Sequence, residues 1–251
     1  MRKEVSLQAD SVIFEGMTSL SAVIKSGRKI KTVYFDKAKV NSKRREYAFL
    51  RRKSDELGFE IKTVDSAAID EMALGNSHGG VIAECEERTI PYLSEDSNIT
   101  PNGFYVMLEG IEDPYNFGYA LRTIYASGAD GIILSERNWM SAAGVVCRSS
   151  AGASELIPSF ISSPLEAIRI FKEKGYRAVC AGIRDSVSVY DADMSKPLLL
   201  IVGGEKRGIS ASVLAEADMI VRIDYGREFP GSLSAASAAS LLTYEVFRQN
   251  R

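Results

Sequence analysis

The chain has 251 residues, of which 45% are hydrophobic and 25% charged, and its formal net charge at pH 7 is −2. This composition excludes a disordered or fibrous protein, and the length suits two globular domains. The longest apolar runs, such as Leu198 to Val202, are far shorter than the roughly 18 to 20 residues of a membrane-spanning helix. We therefore expect no membrane as a partner.

The start of the chain and its few reactive side chains restrict the chemistry. Met1 leads into mixed polar sequence without a continuous apolar region, so we expect no secretory signal and a cytoplasmic protein. The single histidine, His78, excludes a two-histidine metal site within one chain. The three cysteines lack CxxC spacing, which argues against a disulfide framework and a zinc site. They are predicted to be reduced core thiols: Cys85, Cys147 and Cys180.

Strands and helices alternate over residues 1–90. Strands are predicted at 32–35, 59–64 and 81–85, and helices at 42–57 and 66–74. This order predicts a small α/β domain. Between Lys25 and Lys53 the chain carries 12 basic residues against Asp36 and Glu46 only, which favours a phosphate backbone as partner. A solvated helix face is the alternative explanation of this stretch.

A linker and a second α/β domain follow. Proline, serine and asparagine are frequent over 91–102, as in a linker. Over 103–251, apolar runs predict strands at 104–108, 131–134, 178–181 and 198–202, with helices at 118–127, 142–150 and 164–174. Continuous apolar strands are buried on both faces, so a parallel sheet covered by helices is predicted. Such sheets bind ligands at the carboxyl ends of their strands.

The loop after the first of these strands is shaped by glycine and proline. It runs from Glu109 through Pro114 and Asn116 to Gly118, and the next helix carries Arg122 one turn later. This arrangement predicts that Arg122 projects near the strand ends. A capped helix with solvated side chains would give the same local pattern.

The last of these strands runs into Gly203 and Gly204, which let a ligand approach the backbone closely. The chain has neither a P-loop nor GxGxxG, which disfavours nucleoside triphosphates and ordinary dinucleotides. A further strand at 221–224 precedes a helix over 232–248 with Ser232 at its predicted N-cap. A plain strand-to-helix turn and a core helix are the alternatives.

Together these loops resemble the three signature motifs of the SpoU, or TrmH-like, RNA ribose 2′-O-methyltransferases of the SPOUT superfamily. The first motif is matched by 113–118 with 122–123, the second by 202–210, and the third by Ile223, 232–233 and 244–245; residues 148–153 also fit. The resemblance spans 104–251. More weakly, 13–16 and 78–81 resemble the ribosomal-protein-like RNA-recognition domain that often precedes this domain.

The resemblance implies an α/β trefoil knot, a homodimer whose interface helps to form the active site, and S-adenosylmethionine as cofactor. In the family the cofactor is held largely by backbone groups. These carry over to Gly203, Ile223 and Leu233, with Gly204 and Ser232 nearby. No metal is implied. The expected partner is RNA, ribosomal RNA foremost.

The resemblance also implies catalytic residues for methyl transfer to a ribose 2′-hydroxyl of ribosomal or transfer RNA. Arg122 would stabilise the alkoxide or bind the adjacent phosphate, because a guanidinium does not normally deprotonate. Asn116 would orient the substrate or Arg122, and Glu205 would fix its loop or pair with a cation. Ser232 and Ser234 complete the set.

Two departures from the family pattern leave an alternative open. Ser234 stands where the family usually has asparagine, and Asp224 where it often has proline. The alternative is a catalytically silent RNA-binding or ribosome-assembly factor that retains the fold. A third hypothesis makes His78 an acid or base, but its neighbours Gly79 and Gly80 favour a residue that caps or packs a turn.

Overall fold

The computed structural model describes residues 11–75, 77–111, 113–136, 142–204 and 208–251. In chain order its elements are β1 Ser11–Glu15, α1 Gly16–Ser26, β2 Ile30–Asp36, a 3₁₀ turn Lys37–Lys39, α2 Arg44–Leu57, β3 Glu60–Val64, α3 Ser66–Met72, β4 Val81–Glu86, β5 Phe104–Glu109, α4 Pro114–Ala126, β6 Gly131–Leu134, α5 Ala143–Ser149, α6 Ala153–Leu156, β7 Ser159–Ile161, α7 Pro164–Glu173, β8 Arg177–Ala181, β9 Val187–Ser188, β10 Leu198–Gly203, α8 Ala211–Ala215, β11 Met219–Arg222 and α9 Ala235–Gln249.

The chain forms two compact units. The first is Met1–Thr89 with Ala142–Leu156, and the second is Ile90–Ser141 with Ile157–Arg251. Residues 142–156, placed by sequence in the second domain, thus lie in the first unit. In the described parts of the chain, no helix combines the length and the hydropathy that crossing a bilayer requires.

The first unit is built on a four-stranded mixed sheet of order β1-β4-β2-β3. Strand β4 is antiparallel to β1 and β2, while β2 and β3 are parallel. The helix α2 buries Leu50 against this sheet, together with Phe14 and Phe35. Gly58 caps the C-terminus of α2 with a φ of 77°, a left-handed conformation that glycine adopts without strain. The predicted strands and helices of this region are confirmed, and β1 and α1 are additional.

Helices α5 and α6 complete the core of the first unit through packing and charge. Cys147 lies among the buried apolar residues of the sheet. Arg28 donates to both carboxylate oxygens of Glu155, at 2.8 and 3.2 Å. The side chains of this pair are only 4% and 0% exposed. Glu15 accepts from Arg148 at 2.5 Å. Two buried carboxylates therefore tie α5 and α6 to residues more than 120 positions earlier.

The second unit contains a seven-stranded sheet of order β7-β6-β5-β10-β8-β11-β9. Every pairing in it is parallel. Helices α7 and α8 pack on the face that carries Tyr105, Met107 and Ile201. Helix α9 packs on β10 and against α4. The predicted parallel sheet is confirmed, and its central strand β10 ends at the Gly203–Gly204 turn.

The largest differences between predicted and observed boundaries are at the starts of α4 and α9. Helix α4 begins at Pro114, four residues before the predicted start, because Asp113 caps it. Helix α9 begins at Ala235, so the predicted N-cap, Ser232, is wrong, and Ser234 caps the helix instead. Ser232 lies in the non-helical segment before it. The trefoil knot implied by the resemblance stays a prediction.

Candidate active site

A cavity of about 670 Å³ lies at the carboxyl ends of β8, β10 and β11. Its walls come from three strand ends and from the segment that leads into α9. This is the edge where parallel α/β sheets bind ligands, and the volume is that of a small-molecule site. The cavity gathers all five residues predicted to hold the cofactor: Gly203, Gly204, Ile223, Ser232 and Leu233.

Gly203, the last residue of β10, and Gly204 must be glycine because other backbone segments lie close to them. A Cβ on Gly203 would lie 2.5 Å from the carbonyl carbon of Gly208 and 2.8 Å from the nitrogen of Ile209. A Cβ on Gly204 would overlap the carbonyl of Gly110. The loop after β10 also closes on itself, since the Gly208 N–H donates to the Gly204 oxygen at 3.0 Å. Glycine is therefore required at both positions for these backbone segments to approach each other, and both glycines line the cavity. Glu205 lies outside the described residues.

The opposite wall is the segment after β11. The Tyr225 hydroxyl accepts the Leu233 N–H at 3.1 Å, and the Tyr225 ring lies edge-on to Phe229, with centroids 5.9 Å apart. These contacts join the start of the segment to its end, so that Ile223 and Leu233 face one cavity.

Asp224, which stands where the family often has proline, is held by side-chain partners. A hydrogen bond from Ser188, followed by one from Arg222, lowers the pKa of the Asp224 carboxyl below its ordinary value. Arg222 Nε lies 2.8 Å from Asp224 Oδ1, and both side chains are partly exposed. Asp224 lines the cavity as a carboxylate.

The loop after β5 positions the first motif. Asp113 Oδ1 accepts the Asn116 N–H at 2.7 Å, and Pro114 occupies the first turn of α4. A carboxylate cap and an N-terminal proline both favour a helix start. Asn116 is consequently fixed in the first turn of α4, where it is half-buried, and Arg122 projects from the same helix as an exposed side chain.

Arg122 lies in a second depression rather than in the cavity. A groove of about 760 Å³ between α4 and α9 is lined by Arg122, Tyr190, Tyr244 and Arg248. Ser240 of α9 donates to Thr123 Oγ1 at 3.0 Å and so joins the two helices beside Arg122. The structure brings the predicted cofactor residues together, but within one chain Arg122 does not line their cavity.

Ser234 has a structural partner. Its Oγ accepts the Ser237 N–H at 3.2 Å and lies 3.0 Å from Ser237 Oγ. This is an N-cap, a position at which serine and asparagine are about equally favourable. The family asparagine could cap α9 in the same way, so the replacement by serine retains this role.

His78 and the three cysteines are buried. His78 is buried, its Nδ1 accepts the Gly80 N–H at 3.1 Å, and its Nε2 lies 3.2 Å from Asp70. It packs a turn, as predicted. Burial raises the thiol pKa of each free cysteine, Cys85, Cys147 and Cys180, to about 12. Across the described ranges, no cluster of three or more histidine, cysteine or acidic side chains could hold a metal.

The chain combines a mixed-sheet unit with a parallel sheet whose central strands end at a glycine-lined cavity. These features define a two-part α/β protein that binds a small-molecule ligand. Residues 103–244 match the SpoU rRNA Methylase family, and residues 13–91 match the domain described as RNA 2′-O ribose methyltransferase substrate binding. The chain belongs to the SpoU rRNA Methylase family, which confirms the resemblance.

Named relatives and a solved structure resemble the chain over most of its length. It is 29% identical over 252 residues to the putative TrmH family tRNA/rRNA methyltransferase YacO of Bacillus subtilis, covering 98% of each chain. It is 29% identical to the 23S rRNA (guanosine-2′-O-)-methyltransferase RlmB of Shewanella oneidensis, over 80% of this chain and 83% of RlmB. The AdoMet-bound rRNA methyltransferase structure from Sinorhizobium meliloti is 27% identical, with a TM-score of 0.78, over 95% of this chain and 87% of that one.

Proposed function

We propose that this protein transfers a methyl group from S-adenosylmethionine to a ribose 2′-hydroxyl of ribosomal or transfer RNA in the cytoplasm. The observation that carries the proposal is the single cavity that unites Gly203, Gly204, Ile223, Ser232 and Leu233. Residues 1–90 would recognise RNA, residues 91–102 would be a linker, and residues 103–251 would carry the chemistry. The names of YacO and RlmB support RNA as the substrate.

Backbone groups of Gly203, Ile223 and Leu233 would hold the cofactor, with Gly204 and Ser232 beside them. The position of these residues around one cavity supports this assignment. When bound, S-adenosylmethionine supplies a methyl group already activated on a sulfonium, so the protein needs chiefly to align the ribose oxygen with it.

Arg122 would act on the ribose. Its guanidinium can stabilise the developing alkoxide or bind the adjacent phosphate bidentately, and both roles keep it charged. Asn116, fixed in the first turn of α4 by the Asp113 cap, would orient the substrate or Arg122. Glu205 would fix its own loop or pair with a cation. Ser232 lines the cavity, and we assign Ser234 to the cap of α9.

A homodimer would explain why Arg122 lies outside the cavity of its own chain. The face shared by α4 and α9 exposes large side chains, each 42% to 50% accessible: Tyr119, Tyr125, Leu241, Tyr244 and Phe247. Exposed apolar patches of this kind mark interaction sites. We propose that a second copy covers this face and brings Arg122 toward the cavity of its partner. Sedimentation of the full chain would then give the mass of a dimer.

The catalytically silent factor is the weaker candidate. Family membership favours methyl transfer, and the cap formed by Ser234 gives the serine a structural role.

The test is incubation of the purified chain with methyl-labelled S-adenosylmethionine and total RNA from cells that lack the gene. We expect label in RNA at nucleotides whose 3′ linkage resists alkaline hydrolysis, since a 2′-O-methyl group removes the internal nucleophile. RNA binding without incorporation of label would favour the silent factor. Label on a base would contradict ribose methylation.

A further inference from the structure

The basic stretch Lys25 to Lys53 separates into neutralised and free cations. Seven of its twelve cations form ion pairs: Arg28, Lys29, Lys37, Lys39, Lys43, Arg52 and Lys53. Lys31 donates to Ser11. Among the described residues, the side chains of Lys25, Arg44, Arg45 and Arg51 have no ion pair or hydrogen bond. Three of these four lie on α2, so the free charge is concentrated there.

The three free arginines of α2 share one face of the helix with Arg52. Arg44 and Arg51 are two helical turns apart, as are Arg45 and Arg52. The two members of each pair therefore lie about 10 Å apart along the helix axis. All four are exposed, and exposed Ala48 lies between them. We call these four residues the arginine face. The opposite face is in the core, where Leu50 is fully buried and the Tyr47 ring lies 5.0 Å from that of Phe35.

This concentration of charge is unfavourable for the isolated helix. Arg44 and Arg45 lie in the first turn of α2, where the helix dipole disfavours cations. The first-turn acid, Glu46, pairs with Lys43 instead. Arg52 has a 3.8 Å contact with Glu56 and lies over the Phe49 ring at 5.8 Å. A polyanion that approached the face would relieve the repulsion between these guanidinium groups.

We propose that the arginine face docks on the phosphate backbone of helical RNA. Guanidinium groups bind phosphate bidentately, and the small Ala48 side chain leaves room for close approach. The nearest ring, that of Phe49, is half-buried and lies under the Arg52 guanidinium at 5.8 Å, so it is not free to stack on an unpaired base, and the face fits a backbone rather than a single-stranded loop. The inference rests on the proposed function in taking RNA as the partner.

An anionic membrane is the competing phosphate surface, and the burial of α2 argues against it. A helix that lies on a bilayer inserts its apolar face between the lipids. The apolar face of α2 is occupied by the protein core, with Leu50 at 0% exposure. Only charge would remain to hold a membrane.

The test compares Arg44→Gln/Arg45→Gln/Arg51→Gln with a control that removes three exposed but ion-paired lysines, Lys29→Gln/Lys37→Gln/Lys62→Gln. Each full-length variant is first checked for the wild-type circular dichroism spectrum and melting temperature. Binding to a fluorescent RNA hairpin of arbitrary sequence is then measured by anisotropy over a series of KCl concentrations. Vesicles of phosphatidylserine are titrated in parallel.

We expect the arginine variant to lose about tenfold or more in affinity at low salt. Its slope of log K against log salt should be shallower by about 2, because each phosphate contact contributes roughly 0.7 to 0.9 to that slope. The control should keep most of the wild-type slope. An unchanged slope in the arginine variant, an equal change in both variants, or a loss confined to vesicle binding would overturn the inference. If the wild type binds with the expected slope but transfers no methyl group, the proposed function fails and the docking face stands.

Discussion

The Cα of Gly204 packs directly against the carbonyl of Gly110, leaving no room for a Cβ between the loop after β10 and the loop after β5. The loop that leads into the first motif therefore meets the second motif at a point where backbone lies against backbone. This contact fixes the wall of the cavity that carries Gly203 and Gly204. It also gives a direct way to disturb that wall.

We expect Gly204→Ala to weaken S-adenosylmethionine binding by about tenfold or more, because the new methyl group must displace backbone rather than a flexible side chain. Isothermal titration calorimetry measures the effect without reference to RNA. Gly226→Ala is the matched control, since nothing lies within 4 Å of its added Cβ. Equal affinity in both variants would show that the Gly110 contact does not shape the cofactor site.

Arg122 should separate cofactor binding from catalysis. It does not line the cavity of its own chain, so Arg122→Ala is expected to leave the Kd for S-adenosylmethionine within about twofold of wild type. The rate of methyl transfer should fall by about 10²-fold or more, the usual cost of removing one group that stabilises developing charge. Single-turnover transfer to RNA and calorimetry of the cofactor give the two values. A parallel loss of both would place Arg122 in the cofactor site instead.

We expect Ser234 to contribute to stability by capping helix α9. Ser234→Ala removes the acceptor for the Ser237 N–H and should lower the free energy of unfolding by about 1 kcal/mol, whereas Ser234→Asn should restore it. Urea denaturation of the full chain measures both changes. If alanine leaves stability intact yet abolishes methyl transfer, Ser234 is a catalytic residue and not only a cap.

Breaking the buried Arg28–Glu155 pair should destabilise the protein far more than breaking an exposed pair. Glu155→Ala leaves a guanidinium that is 4% exposed without its carboxylate, and we expect a loss of about 3 to 5 kcal/mol in the free energy of unfolding. Glu166→Ala breaks the exposed pair with Arg169 and should cost far less, because exposed ion pairs contribute little to stability. Urea denaturation compares the two, and similar losses would contradict the buried role of Arg28.

We expect the three buried thiols to make the stability of the fold depend on pH in the alkaline range. Burial raises their pKa values from 9.0 to about 12. Below pH 9 the thiols are protonated in both the folded and the unfolded state. Between pH 9 and about 12 only the unfolded chain loses these protons, so stability falls as pH rises.

A thiol reagent provides the direct check. At mildly alkaline pH we expect no labelling of Cys85, Cys147 or Cys180 in the folded chain and labelling of all three in urea. Rapid reaction of any one of them in the folded state would contradict its burial.

The arrangement of the parallel strands was accessible from local pattern. Each central strand is a continuous apolar run, and glycine, proline or a capping side chain marks the turn that follows. The residues expected to hold the cofactor came from the resemblance to a family, and the structure gathers them around one cavity. The start of α9 was misplaced by three residues, because Ser232 and Ser234 are both good caps and only the contact with Ser237 distinguishes them.

The sequence by itself determined the strands, the motif loops and the family, since these depend on periodicity and on residues close together in the chain. Only the tertiary structure placed 142–156 in the first unit and Arg122 in the groove beside α9. The first placement depends on the pairs Arg28–Glu155 and Glu15–Arg148, whose partners are 127 and 133 residues apart. Buried charges must find counter-charges wherever the fold provides them, and no local pattern records which partner that is.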